Sequence, residues 1–196
     1  MIDGNGVALG VVHGTPSGRA LLRALVAELA GATPIDPDTV IIDARCPDCG
    51  GDHGRPVVMA PDAARHIHVS LSHVGDTVVG VASADRSVGV DAESADALAD
   101  GERAQRIREL IGRHDGDPLR RWTAIEAVLK ADGRGLRVDP ATVSLDPLEP
   151  LDPADPADPR APHTSGWRAS VPGDTRRYIV TEVAVEGLVV SVAREL

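Results

Sequence analysis

The apolar positions of this chain change period several times, and each change marks an element. In VALGVVH, Val7, Leu9 and Val11 alternate with their neighbours, the two-residue period of a strand. The spacing then lengthens. Leu21, Leu22, Leu25, Val26 and Leu29 form one helical stripe, with Thr15 or Ser17 placed to cap it and Gly31 to stop it. TVIIDA (39–44) predicts a short buried strand, and HIHVSLSHVGDTVVGVASADRSVGVDAES (66–94) a three-strand meander turning at Gly75-Asp76 and Ala84-Asp85. Helical spacing returns over about 101–113 and 118–131. Strands are predicted again in TVSLD, GWRASV, RRYIVTEVAV and GLVVSVARE, with Glu186-Gly187 as a hairpin turn. The proline- and aspartate-rich stretch 146–163 lacks donors and has fixed φ values, so it is expected to be an exposed, mobile loop. Helices followed by antiparallel strands, twice over, make an α+β layout.

Composition narrows the core. The chain has no Phe, one Tyr and two Trp, so its interior must be built from Val, Leu, Ile and Ala. No stretch of 18 or more apolar residues is present and the N-terminus lacks a basic, then apolar, leader, so the expected location is the cytoplasm and no membrane partner is expected. A net charge of −10 argues against nucleic-acid binding, which needs a basic face. Arg103, Arg106, Arg108, Arg113, Arg120 and Arg121 nevertheless cluster in one stretch. They suit an anionic ligand or acidic partner, or simply a solvated helix face.

Three groups of residues could carry chemistry. In SVGVDAES, Val88 and Val90 share one strand face while Gly89, Asp91 and Glu93 share the other. Two carboxylates on one face repel, and a cation between them relieves it; oxygen-only ligands suit Mg²⁺ or Mn²⁺. An isolated D-x-E pair is also compatible with a strand that ends in solvent. Trp122, Glu126 and Lys130 follow at i, i+4 and i+8 on one helical face. Lys130 is the only lysine beside nineteen arginines, so an ordinary surface pair does not explain its choice. A compact ammonium on a flexible stem can reach a phosphate in a way that a guanidinium does poorly. The third group, CPDCGGDHGRP, offers Cys46, Cys49 and His53 as three zinc ligands without an evident fourth, or else a tight Gly-rich turn that presents Arg55. His66 and His68 fall on one strand face and His73 on the other. No P-loop, dinucleotide fingerprint or nucleophile elbow is present.

Taken in order, CPDCGGDHGRP, VSLSH, GVDAE and WTAIEAVLKADGRG resemble the motifs of the 4'-phosphopantetheinyl transferases of the larger, monomeric, surfactin type. The matched span runs from about Cys46 to Gly135. The resemblance implies two similar α+β halves related by a pseudo-twofold axis, here 1–95 and 96–196, with coenzyme A in the cleft between them. It implies transfer of the phosphopantetheine arm of coenzyme A to a serine of an acyl or peptidyl carrier protein. On that resemblance Asp91, Glu93 and Glu126 would hold Mg²⁺, and Glu126 would be the base for the carrier serine. Lys130 would neutralise the pyrophosphate, with Asp91, Glu126 and Lys130 as the catalytic set. Arg55, Ser72, His73 and Lys130 would bind coenzyme A. Ile125 stands where the family has lysine, which removes a cation expected near the metal-binding glutamate, and Val74 stands where it usually has Ser or Thr. Two other readings stay open: a protein that binds coenzyme A or a carrier without transfer, and a small zinc-binding interaction module.

Overall fold

A computed structural model of the chain describes residues 6–14, 17–30, 34–148 and 166–196. Strand β1 (Val7–His13) is followed by helix α1 (Gly18–Leu29), then by a two-stranded ribbon of β2 (Ile41–Asp43) and β3 (Val57–Ala60). Strands β4 (His68–Val74) and β5 (Thr77–Ser83) come next and join β1 in a three-stranded antiparallel sheet, in the order β1-β5-β4. The stripe on α1 does what its spacing predicts: Leu22, Leu25 and Val26 are buried in the core cluster that includes Ala8, Val69 and Ala82 of this sheet. Ser17 stands at the N-cap, but its side chain makes no capping bond. The other expected cap, Thr15, and the expected stop, Gly31, lie outside the described residues. β2 is the predicted short strand, only partly buried, since Ile42 faces the core while Ile41 is 55% exposed. No period announces β3: VVMA is apolar throughout, although only Val58 in it is buried.

The expected meander is broken after its second strand. β6 (Val88–Ser94) does not join β5 but pairs antiparallel with the C-terminal strand β10 (Leu188–Glu195), Asp91 opposite Ser191. It opens a second sheet of five strands in the order β6-β10-β9-β8-β7, with β7 at Ser144–Pro147, β8 at Gly166–Ser170 and β9 at Arg177–Val185. β7 runs through Asp146 and Pro147, so the proline-rich stretch begins later than expected; the rest of it, from 149 onward, lies outside the described residues. The two sheets meet where β6 passes β4. There the backbone N–H of Val90 donates to Ser70 Oγ and that of Ala92 to Ser72 Oγ, both at 3.1 Å. Serine hydroxyls thus take the place of the carbonyl acceptors that a continuous sheet would supply.

Helices α2 (Gly101–Ile111) and α3 (Pro118–Asp132) belong to this second unit, with α3 lying on β6 and β10 and α2 packed on α3. Asp100 and Asp117 cap them, each carboxylate accepting two backbone N–H bonds of the first turn. α3 is buried nearly all round, from Leu119 to Asp132. It ends at Gly133, whose φ of +91° closes the last turn back onto the Leu129 carbonyl. The core follows the composition: one cluster under α1, one around α3 with Ile107, Ile111 and Tyr178, and a layer of valines with one alanine between the sheets. Among the described residues no helix is long and apolar enough to cross a membrane.

Candidate functional site

Gly89 sets the distance between β6 and α3. A Cβ at that position would lie 2.1 Å from the Ala127 carbonyl oxygen and 2.5 Å from the Ala131 nitrogen. The helix therefore rests directly on the strand backbone, and the next residues of the same strand face, Asp91 and Glu93, share a cleft with Lys130 and Glu126. Lys130 Nζ donates to Asp91 Oδ1 at 2.6 Å and to the Val90 carbonyl at 3.0 Å. Ser72 Oγ, while accepting from Ala92, donates to the same Asp91 oxygen at 3.0 Å. Asp91 is buried, and its second oxygen, Oδ2, has no hydrogen-bond partner among the described residues. Glu93 Oε2 accepts from the Arg103 guanidinium.

Glu126 is partly buried and has its pKa pushed up to about 7. Burial is the main cause, the Asp91 and Glu93 carboxylates add to it, and Lys130 opposes it. Near neutral pH this carboxyl is poised between its two forms, which is where a group that accepts a proton is most useful.

These side chains line a cleft of about 750 Å³ together with Trp122, Arg103 and the His73–Gly75 end of β4. That volume is in the range of small-molecule and cofactor sites. A second cavity of about 420 Å³ adjoins it, lined by Arg19, Asp52 and His53 among others. Leu71 and His73 border both, so the two share a wall. His73 Nε2 packs against the first turn of α1, 3.2 Å from where a Cβ on Gly18 would stand.

The expected site residues are not all brought together. Asp91, Glu93, Glu126, Lys130, Ser72 and His73 line the large cleft. Arg55 lines neither cavity. Its guanidinium lies at the C-terminal end of α3, donating to Ser87 Oγ at 3.0 Å and to the Ala131 carbonyl at 3.4 Å. A cation suits that place, because the last carbonyls of a helix carry partial negative charge. Ile125 is fully buried in the α3 core cluster and does not line the cleft. The expected loss of a cation at position 125 therefore leaves no gap in this cleft. β4 begins at His68, so His66 precedes the strand and shares no face with it. Arg103, expected only as one of the arginines that suit an anionic ligand or acidic partner, lines the cleft and pairs with Glu93, and Ser70 acts as a strand clamp that no motif announces. Only the S-x-S spacing on β4 signals that clamp, since hydroxyls at i and i+2 share a face.

The donor set fits a hard divalent cation: three carboxylates, one with a buried oxygen that lacks a partner among the described residues. Their oxygens do not all lie within 4.8 Å of one another, and two of the three are held elsewhere, Asp91 by Lys130 and Glu93 by Arg103. No protein-family model matches the chain, and no curated protein matches it either.

Proposed function

We propose that this chain is a transferase that moves the 4'-phosphopantetheine arm of coenzyme A onto a serine of an acyl or peptidyl carrier protein, in biosynthesis of the polyketide, nonribosomal-peptide or fatty-acid kind. The observation that carries the reading is the meeting of Asp91, Glu93, Glu126 and Lys130 in one cleft beside β4 of the first sheet. In this reading the two helix-on-sheet units are the two halves of the transferase fold. Asp91, Glu93 and Glu126 would hold Mg²⁺ or Mn²⁺, which when bound supplies positive charge against the pyrophosphate oxygens.

The chain's own groups divide the remaining work. Glu126, in the same cleft, accepts the proton of the carrier serine. The serine oxygen bonds to the phosphorus nearest the pantetheine arm as the anhydride bond to the adenosine side breaks, and 3',5'-ADP leaves. Lys130, anchored on Val90 and Asp91, holds fixed positive charge beside the bond that breaks. Ser72 keeps Asp91 in place. His73 stands on the wall between the two cavities, within reach of an extended ligand that crosses it.

The test is direct. Incubation with coenzyme A, Mg²⁺ and an apo-carrier protein should add the mass of one arm, roughly 340 Da, to the carrier serine. No gain on any carrier from the same gene neighbourhood would overturn the reading. One observation favours a second reading, coenzyme A or carrier binding without transfer: Lys130 and Arg103 already neutralise two of the three carboxylates. That reading expects coenzyme A binding by calorimetry without turnover, and little effect of Glu126→Gln on it.

A further inference from the structure

The turn between β2 and β3 is built around sulfur. Cys46 Sγ, Cys49 Sγ and a His53 ring nitrogen all lie within 4.8 Å of one another, with Cys49 Sγ 3.0 Å from His53 Nε2. The backbone folds to make them meet. Cys46 N–H donates to the Gly51 carbonyl at 2.7 Å, and Gly50 N–H returns to the Cys46 carbonyl at 2.9 Å. A Cβ on Gly51 would stand 3.0 Å from the His53 ring and 3.3 Å from Cys49 Sγ, so glycine is what lets the two close without a shift. A backbone N–H also faces one of the sulfurs: that of Gly51 donates to Cys49 Sγ at 3.4 Å. Two sulfurs and an imidazole make a ligand set that suits zinc and not Mg²⁺.

We propose that Cys46, Cys49 and His53 bind one zinc ion, with water completing a tetrahedral shell. Two thiolates and a neutral imidazole balance the charge of the ion. The neighbouring Asp52 is not the fourth ligand, because both of its oxygens are held by Arg19. Three protein ligands leave the shell open on one side, unlike the closed four-ligand centres. Within the fold the ion orders the turn. That turn joins the ends of a ribbon of only three and four residues, and ordering it fixes His53 and Asp52 in the wall of the smaller cavity. This site is separate from the carboxylate cleft and from the hard cation suited to it.

The experiment uses the full chain, purified under reducing conditions and passed into metal-free buffer. Plasma mass spectrometry is expected to find about one zinc per chain, and Co²⁺ substitution to give thiolate charge-transfer and tetrahedral d–d bands. Cys49→Ser and His53→Gln should each weaken zinc binding by at least about tenfold, a loss that even outer-shell changes can reach. Both residues are exposed, so circular dichroism should show an unchanged fold. Absence of zinc and of cobalt bands in the reduced protein would overturn the proposal. So would cobalt bands that survive Cys49→Ser. Carrier modification is not a readout here, so failure of this proposal and failure of the transferase reading stay distinguishable.

Discussion

The Lys130 ammonium and the Asp91 carboxylate are joined at 2.6 Å across the contact between α3 and β6, where Gly89 has removed the side chain that would hold the elements apart. The Asp91 side chain is 9% exposed and that of Lys130 29%, so the pair is neither a surface decoration nor a dry one. Removing the lysine leaves a buried carboxylate without its cation. Lys130→Met is expected to cost about 2 kcal/mol, below the usual penalty for breaking a fully buried pair because Lys130 keeps some solvent. In an Asp91→Asn background the same change should cost little. Urea titration of the four proteins of this cycle measures the difference, and equal costs in both backgrounds would mean that the pair contributes nothing.

Glu126 makes stability depend on pH. Its ordinary value of 4.5 is raised to about 7 in the folded chain. Below 4.5 the group is protonated in both states, and burial carries no charge penalty. Between about 4.5 and 7 the unfolded chain releases the proton while the folded chain keeps it, so stability falls as pH rises. Above that window the loss is complete. Glu126→Gln, neutral and of similar shape, should exceed the parent in stability at about pH 8 by more than it does near pH 4.5, and the proposed transfer, if Glu126 is its base, should fall by at least about a hundredfold. Denaturation midpoints of both proteins in metal-free buffer at the two pH values are the measurement. A Gln variant that gains nothing across that range would contradict the burial argument.

Gly89→Ala tests the strand–helix contact itself. The added methyl would meet backbone atoms of α3, which cannot swing away as a side chain can. A loss of about 3 kcal/mol is expected, at the upper end of overpacking costs. Thermal or urea unfolding measures it, and a loss under about 1 kcal/mol would mean that α3 shifts freely on β6.

Much of this arrangement is legible in the sequence, and the failures have physical causes. Alternation along SVGVDAES places Asp91 and Glu93 on one face, and i, i+4 spacing adds Glu126 and Lys130, because both are local properties of the backbone. Strand partnership is not local. Nothing in the period-two pattern of β6 says that it pairs with β10 and not with β5. Burial all round α3 hides a different fact: a helix buried on most faces gives no single apolar stripe from which to read that Ile125 faces the core and not the cleft. Arg55 sits in a motif that resembles a ligand-binding one, yet its chain position says nothing of where its long side chain ends. In the structure it ends on Ser87 and Ala131.

Arg103 bears on how readily the cleft accepts a divalent cation. Its guanidinium is half exposed and holds Glu93, one of the three carboxylates proposed as ligands. A cation that takes the same Glu93 oxygen competes with it. A pair with one partner in solvent contributes about 0.2–1 kcal/mol, so freeing Glu93 should strengthen divalent binding by up to about fivefold. Arg103→Ala is therefore expected to bind Mn²⁺, followed by its electron paramagnetic resonance signal, more tightly than the parent. Glu93→Gln should bind it more weakly and should erase the gain from Arg103→Ala when the two are combined. Weaker Mn²⁺ binding by Arg103→Ala would place Arg103 among the groups that support the site and not among those that compete for it.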